Sequence, residues 1–310
     1  MGTLLPFSLA TIAFAGRLYA RAVVLHRIRI DDYLLGLGWL AALADCVIAV
    51  LATKYGSGIH QENVPLAFFP MNYKLAFAGY FTYALSLGFT KLAIGVFDLQ
   101  VFGTNRCACR ELYALIAFVS CYTLALNLQF AFSCVPVHKS WLPDAAGHCY
   151  SQLPGLWIQF SCNVASDIWL IAFAAPRIWY VRLPTRQRMV LVITMTLGWL
   201  VVLAAIVRVV RMNSVMKAVD RTWASRDPLI WTSVELNVAI ICAAIPALQP
   251  ILTRFAPGTT VSDPLMSIPR RSQRVPCGTG SNGEARLWNS NGQTDEVTFR
   301  LEPTKHEATM

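Results

Sequence analysis

The chain has 310 residues, a formal net charge of +9, and only 14% charged residues against 55% hydrophobic ones, with a mean hydropathy of +0.49. So few charges cannot cover the surface of a soluble protein of this size, which sets aside most of the soluble functional classes. From Ala256 onward six basic residues (Arg270, Arg271, Arg274, Arg286, Arg300, Lys305) meet six acidic ones (Asp263, Glu284, Asp295, Glu296, Glu302, Glu307), so the positive excess lies in the apolar portion, where it suits anionic lipid and topology and shows no nucleic-acid pattern.

A helix needs about 20 mostly apolar residues to cross a hydrocarbon core of roughly 30 Å, and seven stretches qualify. The first, Leu4–Leu25, is interrupted by Arg17 and Arg21, which are expected to snorkel to the headgroups. Because these charges follow the apolar segment, a cleaved signal peptide is not expected. The second, Tyr33–Thr53, carries Asp45. After it, KYGSGIHQENVP combines Gly56 and Gly58 with His60 and Glu62, and two readings stay open: a tight turn at the membrane surface, or a loop presenting His60 over a central cavity. The third stretch, Leu75–Val101, holds Lys91 and Asp98; the fourth, Leu112–Ser133, holds Asn127.

The following loop runs CVPVHKSWLPDAAGHC from Cys134 to Cys149. A Cys134–Cys149 disulfide is expected if this loop faces an oxidising compartment. The other cysteines read as apolar fillers or inner-side thiols, and Cys107 with Cys109 lacks the companions of a zinc site, so no metal is expected. The fifth stretch, Leu156–Tyr180, contains Asn163, Asp167 and Pro176. The sixth, Met189–Val210, ends near Arg208, and the seventh, Leu229–Phe255, carries Glu235, Asn237, Pro246 and Pro250 but no lysine. These prolines can kink their helices. From about Pro257 the sequence turns to Gly, Ser, Pro and Asn, a composition that reads as a disordered tail.

Short loops orient the spans. Arg27 and Arg29, Arg106 and Arg110, and Arg182, Arg186 and Arg188 occupy one set of loops, and Lys and Arg counting places that set in the cytoplasm. The expected architecture is therefore an all-α bundle of seven transmembrane helices over residues 1–255, amino terminus outside, with a cytoplasmic tail over 256–310.

Ionisable groups inside a span face the protein interior, pair, or line a cavity. Depth along the helices sets Lys91 of the third span beside Asp167 of the fifth, and Arg208 of the sixth beside Glu235 of the seventh. Asp45 has no obvious cation, leaving it neutral, solvated or bound to a cation or ligand. Two readings stay open for the set. The charges hold the bundle in register, or Asp45, Asp167, Glu235 and His60 form a polar pocket in the outer half, where desolvated carboxylates would suit acid–base work. Retinal needs a lysine amine within the bundle; Lys91 is the single intramembrane candidate and has Asp167 as its expected acidic partner, so retinal is not expected, and no other cofactor is expected either.

The chain carries RLYAR at Arg17–Arg21 followed by DDYLL at Asp31–Leu35, YGSGIH at Tyr55–His60, TKLAIGVF at Thr90–Phe97, CVP at Cys134–Pro136 with Cys149, NVASDIWLIAFAAP at Asn163–Pro176, and DRTW at Asp220–Trp223 followed by WTSVELNVAIICAAIP at Trp231–Pro246. In order and placement these segments resemble the fungal rhodopsin-like integral membrane proteins, including those encoded beside secondary-metabolite genes such as those for satratoxins. The resemblance implies a seven-helix protein of the plasma membrane or an endomembrane. Its receptor-like branch carries a cysteine-rich outer module before the first helix; only a few residues stand there in this chain, so recognition through such a module is not expected. Two functional classes follow: a receptor-like or accessory protein that binds a small hydrophobic ligand and signals through a cytoplasmic partner, or an embedded enzyme of secondary metabolism using Asp45, Asp167 or Glu235. No HExxH, P-loop or Asp-rich metal motif supports a dedicated enzyme, and no paired broken helices support a transporter.

Overall fold

The computed structural model describes residues 2–102, 106–142, 146–180 and 185–254, together with 287–288 and 294–295. Helix α1 (Leu4–Tyr19) runs into a π-helical turn at Ala20–Val24. It is followed by α2 (Ile30–Lys54), α3 (Phe69–Phe102), α4 (Arg106–Ala131), the two-residue strands β1 (Cys134–Val135) and β2 (His148–Cys149), α5 (Leu153–Tyr180), α6 (Thr185–Lys217), the short α7 (Arg221–Ala224) and α8 (Arg226–Arg254). Among the described residues seven helices are long and apolar enough to cross a membrane. They fall on the seven stretches read from hydropathy, with α3 starting earlier and α6 running further than apolar content alone indicates. The expected tail lies outside the described residues, apart from a second unit's paired segments Leu287–Trp288 and Thr294–Asp295.

Packing centres on α8, which touches α1, α2, α3 and α6. Small side chains make this close approach feasible: Ala10, Ala42, Ala93 and Ala243 are buried around Leu35 and Ile240. The α2–α3 contact is the most extensive, and Gly38 sits at its tightest point. A Cβ there would stand 2.8 Å from Thr90 Oγ1, while Ser86 Oγ donates to the Gly38 carbonyl at 2.9 Å. Large apolar side chains such as Leu5, Ile12 and Leu124 remain exposed on outer faces, where lipid replaces water as the contacting medium.

The arginines of α1 do not snorkel. Arg17 is 1% exposed and Arg21 is 3% exposed, because both turn inward onto the first turn of α2. Arg17 Nε donates to Asp32 Oδ1 at 2.8 Å and its Nη2 pairs with Asp31 Oδ2. Arg21 Nη2 lies 3.4 Å from the same Asp31 oxygen. Arg17 Nη1 also donates to the Ala243 carbonyl of α8 at 2.6 Å, in the helical turn where Pro246 withholds a backbone donor. Asp32 closes a capping box by accepting the Arg29 N–H at 3.0 Å. Gln100 of α3 donates to Asp31 at 3.1 Å, so four helices meet at one charge-balanced cluster. Phe97 lies 5.9 Å below both guanidinium groups, within cation–π range.

Cys134 and Cys149 form a disulfide across the β1–β2 pair. Cys46, Cys109, Cys121, Cys162 and Cys242 are free thiols; Cys107, read from sequence as an inner-side thiol, is disulfide-bonded instead.

Removing one member of a buried ion cluster leaves its partners charged and unmatched, a loss of about 3–5 kcal/mol. Arg17→Leu is expected to lower the thermal unfolding temperature of detergent-solubilised protein strongly, whereas Leu at the exposed Arg27 leaves it nearly unchanged. Equal melting of the two variants would remove the cluster's structural role.

Candidate functional site

A second buried cluster occupies the bundle interior. Lys91 of α3 and Asp167 of α5 meet at 2.8 Å, and Arg208 of α6 meets Glu235 of α8 at 2.7 Å. These contacts are one network, not two. Lys91 Nζ also donates to the Asn163 carbonyl, Asn163 Oδ1 and Ser166 Oγ, each at 2.7 Å. Asn163 in turn donates through Nδ2 to Glu235 Oε1 at 2.9 Å. Tyr83 OH donates to that same oxygen at 3.0 Å, and the Arg208 guanidinium lies 4.3 Å from the Tyr83 ring centroid.

The spacing of α5 explains the join. Asn163, Ser166 and Asp167 stand at i, i+3 and i+4, which places them on one helical face toward α3. Glu235 is fully buried and takes three donors from three other helices, making it the hub of the network. Two lysine and arginine charges match two carboxylates, so the network carries no net charge. With four acceptors around its nitrogen, the Lys91 ammonium is engaged and not presented as a free amine.

Asp45 and His60 stand apart from this hub. Asp45 is buried on α2 and accepts from Thr82 Oγ1 at 3.3 Å, with no cation partner among the described residues. His60 lies in the loop after α2, where its side chain is 57% exposed. The four residues of the polar-pocket reading are therefore not gathered in one place: Asp167 and Glu235 share a network, while Asp45 and His60 each have separate surroundings. Among the described residues no group of three or more His, Cys, Asp or Glu side chains is arranged to hold a metal.

His60 belongs to a latch that the sequence reading missed. Its Nδ1 lies 2.8 Å from Asp220 Oδ2, its ring stacks on Trp223 at 4.3 Å with planes 9° apart, and Arg226 covers that indole at 4.8 Å. The Gly58 N–H donates to the Thr222 carbonyl at 2.8 Å. Gly56, at φ +98° with Val64 Cγ1 2.7 Å from where a Cβ would stand, makes the turn that brings this loop over. Desolvation opposes it, but together the hydrogen bonds from His60, the Trp223 N–H, the Thr222 hydroxyl and the Gln61 N–H hold the Asp220 carboxyl below its ordinary value. The residues of this contact stand in two segments of the sequence, YGSGIH and DRTW, the second running from the loop at Asp220 into α7.

Between α3 and α4, Tyr80 and Phe130 stack at 3.6 Å, and Phe77 contacts both Phe130 and Trp141 of the disulfide loop. The bridged loop is thus anchored on an aromatic cluster.

The model of the fungal rhodopsin domain matches residues 16–254. The chain belongs to this family. It is similar to a SAT4 family membrane protein of Emericella nidulans, 28% identical over 70% of this chain and 55% of that protein. It is also similar to the polyenoic acids biosynthesis gene cluster protein Ba17b of Metarhizium anisopliae, 25% identical over 80% of this chain and 71% of that one. Receptor GIN3 of Arthrobotrys oligospora is 21% identical over 90% of this chain and 68% of its own. The chain thus spans little more than half of the Emericella protein's length. No solved structure matches it. Family membership and seven candidate spans make this a membrane protein.

Within this fungal rhodopsin domain, Glu235→Gln leaves Arg208 buried without its counter-charge and is expected to destabilise the protein by about 3–5 kcal/mol. Adding Arg208→Met should recover a large part of that loss; a double-mutant cycle of unfolding temperatures showing strict additivity would mean the two do not interact. A depressed carboxylate contributes stability above its ordinary value and loses it as pH falls through the lowered one. The hydrogen-exchange protection of residues 56–62 should therefore hold down to about pH 4 and fall below it, while Asp220→Asn lowers that protection already at neutral pH.

Proposed function

We propose that this protein is a receptor-like or accessory membrane protein that senses or handles a small hydrophobic metabolite. The observation that carries the reading is the network from Asp167 through Lys91, Asn163 and Glu235 to Arg208. It ties α3, α5, α6 and α8 together through contacts that a rearrangement of any one helix must exchange. Its two carboxylates are held by cations, an arrangement suited to binding and conformational coupling more than to repeated proton exchange. One relative is named a receptor and another for a polyenoic acids biosynthesis gene cluster, which supports a role beside hydrophobic natural products.

In this reading residues 1–255 are the membrane domain with the amino terminus outside, and residues 256–310 are a cytoplasmic tail that, with the inner loops, meets a signalling partner. The Cys134–Cys149 disulfide supports that orientation, since such bridges persist in oxidising compartments. The membrane is the plasma membrane or an endomembrane.

A second reading, an embedded enzyme of secondary metabolism, rests on Asp45, a buried carboxylate whose one polar contact among the described residues is the Thr82 hydroxyl. The two separate cleanly. Extracts of intact and deletion strains are compared without a chosen substrate, and each compound that differs is offered to the purified protein. Saturable binding with the compound recovered unchanged is the expected outcome. Conversion to a product, abolished by Asp45→Asn in a folded protein, would replace the receptor reading with the enzyme.

A further inference from the structure

Between α3, α4 and α5 lies a cavity of about 10 Å³, lined by Tyr83, Leu87, Thr123, Leu126, Gln159 and Asn163 among others. Gln159 reaches it from α5 while being only 6% exposed, and has no hydrogen-bond partner among the described residues. Thr123 Oγ1 on α4 is also buried and unpartnered. Buried amides and hydroxyls without partners are uncommon in native interiors, and each calls for an explanation. Here such a hydroxyl, Thr123 Oγ1, stands on the wall of a cavity that Gln159 also lines.

The neighbouring charges narrow the chemistry. Lys91 and Arg208 already match Asp167 and Glu235, so what faces the cavity is neutral. A carboxylate or ammonium entering it would be a buried charge without a counter-ion. A hydroxyl or carbonyl would find both donor and acceptor on the Gln159 amide. The volume suits about one water-sized group, far below the roughly 300 Å³ of a pocket that encloses a whole small molecule. The rest of such a molecule must lie elsewhere, and the adjoining seam offers a place: α4 and α5 touch much less than α3 and α4 or α5 and α6, and beyond them is hydrocarbon.

We propose that the seam between α4 and α5 binds an otherwise apolar molecule by its neutral hydroxyl or carbonyl head, received by Gln159 and Thr123. The inference rests on the reading of this protein as a binder of hydrophobic metabolites and gives that reading a site and a head-group chemistry. Two further walls of the cavity, Tyr83 and Asn163, both donate to Glu235 Oε1, so a bound head lies one hydrogen bond from the hub of the charged network.

The test uses the full chain in lipid nanodiscs and three photoreactive twelve-carbon probes that differ only at the head: a primary alcohol, a carboxylate and a plain hydrocarbon. Labelled peptides are mapped by mass spectrometry. The alcohol is expected to label α4 and α5 saturably, with the other two giving only weak, unsaturable labelling. Gln159→Leu should lower the alcohol's apparent affinity at this seam by about tenfold, whereas Ser120→Ala at an exposed position of α4 leaves it unchanged. Should Gln159→Leu fail to fold, the near-isosteric Thr123→Val carries the same expected direction. Equal labelling by alcohol and hydrocarbon, or full alcohol affinity in the variants, overturns the site and leaves the cavity to a structural water. A strain metabolite that binds the protein without displacing the alcohol also overturns the site while leaving the broader reading intact. Alcohol binding through Gln159 with no strain metabolite bound has the reverse meaning.

Discussion

An ionised side chain in hydrocarbon must find a counter-charge and hydrogen-bond partners inside the protein, and the arrangement of this bundle follows from that requirement. Arg17 and Arg21 meet Asp31 and Asp32 at one level, where α1, α2, α3 and α8 come together. Lys91 and Arg208 meet Asp167 and Glu235 at another, joining α3, α5, α6 and α8. Helices α3 and α8 contribute to both clusters. Apolar burial between helices gains little over contact with lipid tails, and these polar clusters add specific partners at two levels of the bundle.

Much of this was legible in the sequence. Apolar length locates the spans because the membrane sets a minimum, and a rise of about 1.5 Å per residue converts position along a span into depth. The same conversion sets Lys91 level with Asp167 and Arg208 level with Glu235, the pairs that lie at 2.8 and 2.7 Å. It cannot see Asn163 as the link between them, because a neutral amide carries no demand for a particular partner.

Depth also misleads at helix ends. Arg17 and Arg21 are near enough to the interface for snorkelling and for inward pairing alike, and depth alone does not choose. The overlooked clue was spacing: the two arginines stand at i and i+4, hence on one face, and DDYLL opens the next helix a short loop away. His60 illustrates a different limit. Its partner Asp220 lies 160 positions along the chain in another loop, where no helical periodicity reports which way a side chain points. Gln159 and Thr123 gave no signal at all, since an amide and a hydroxyl in a span read as ordinary interior bonding until the absence of their partners is seen in three dimensions.

The exact balance of each buried cluster, two positive groups against two negative, bears on what stimulus can drive this bundle. An electric field across the membrane acts on a displaced charge with about 2.3 kcal/mol per elementary charge per 100 mV. Moving either cluster as a unit transports none. Resting potential therefore has little purchase on either cluster.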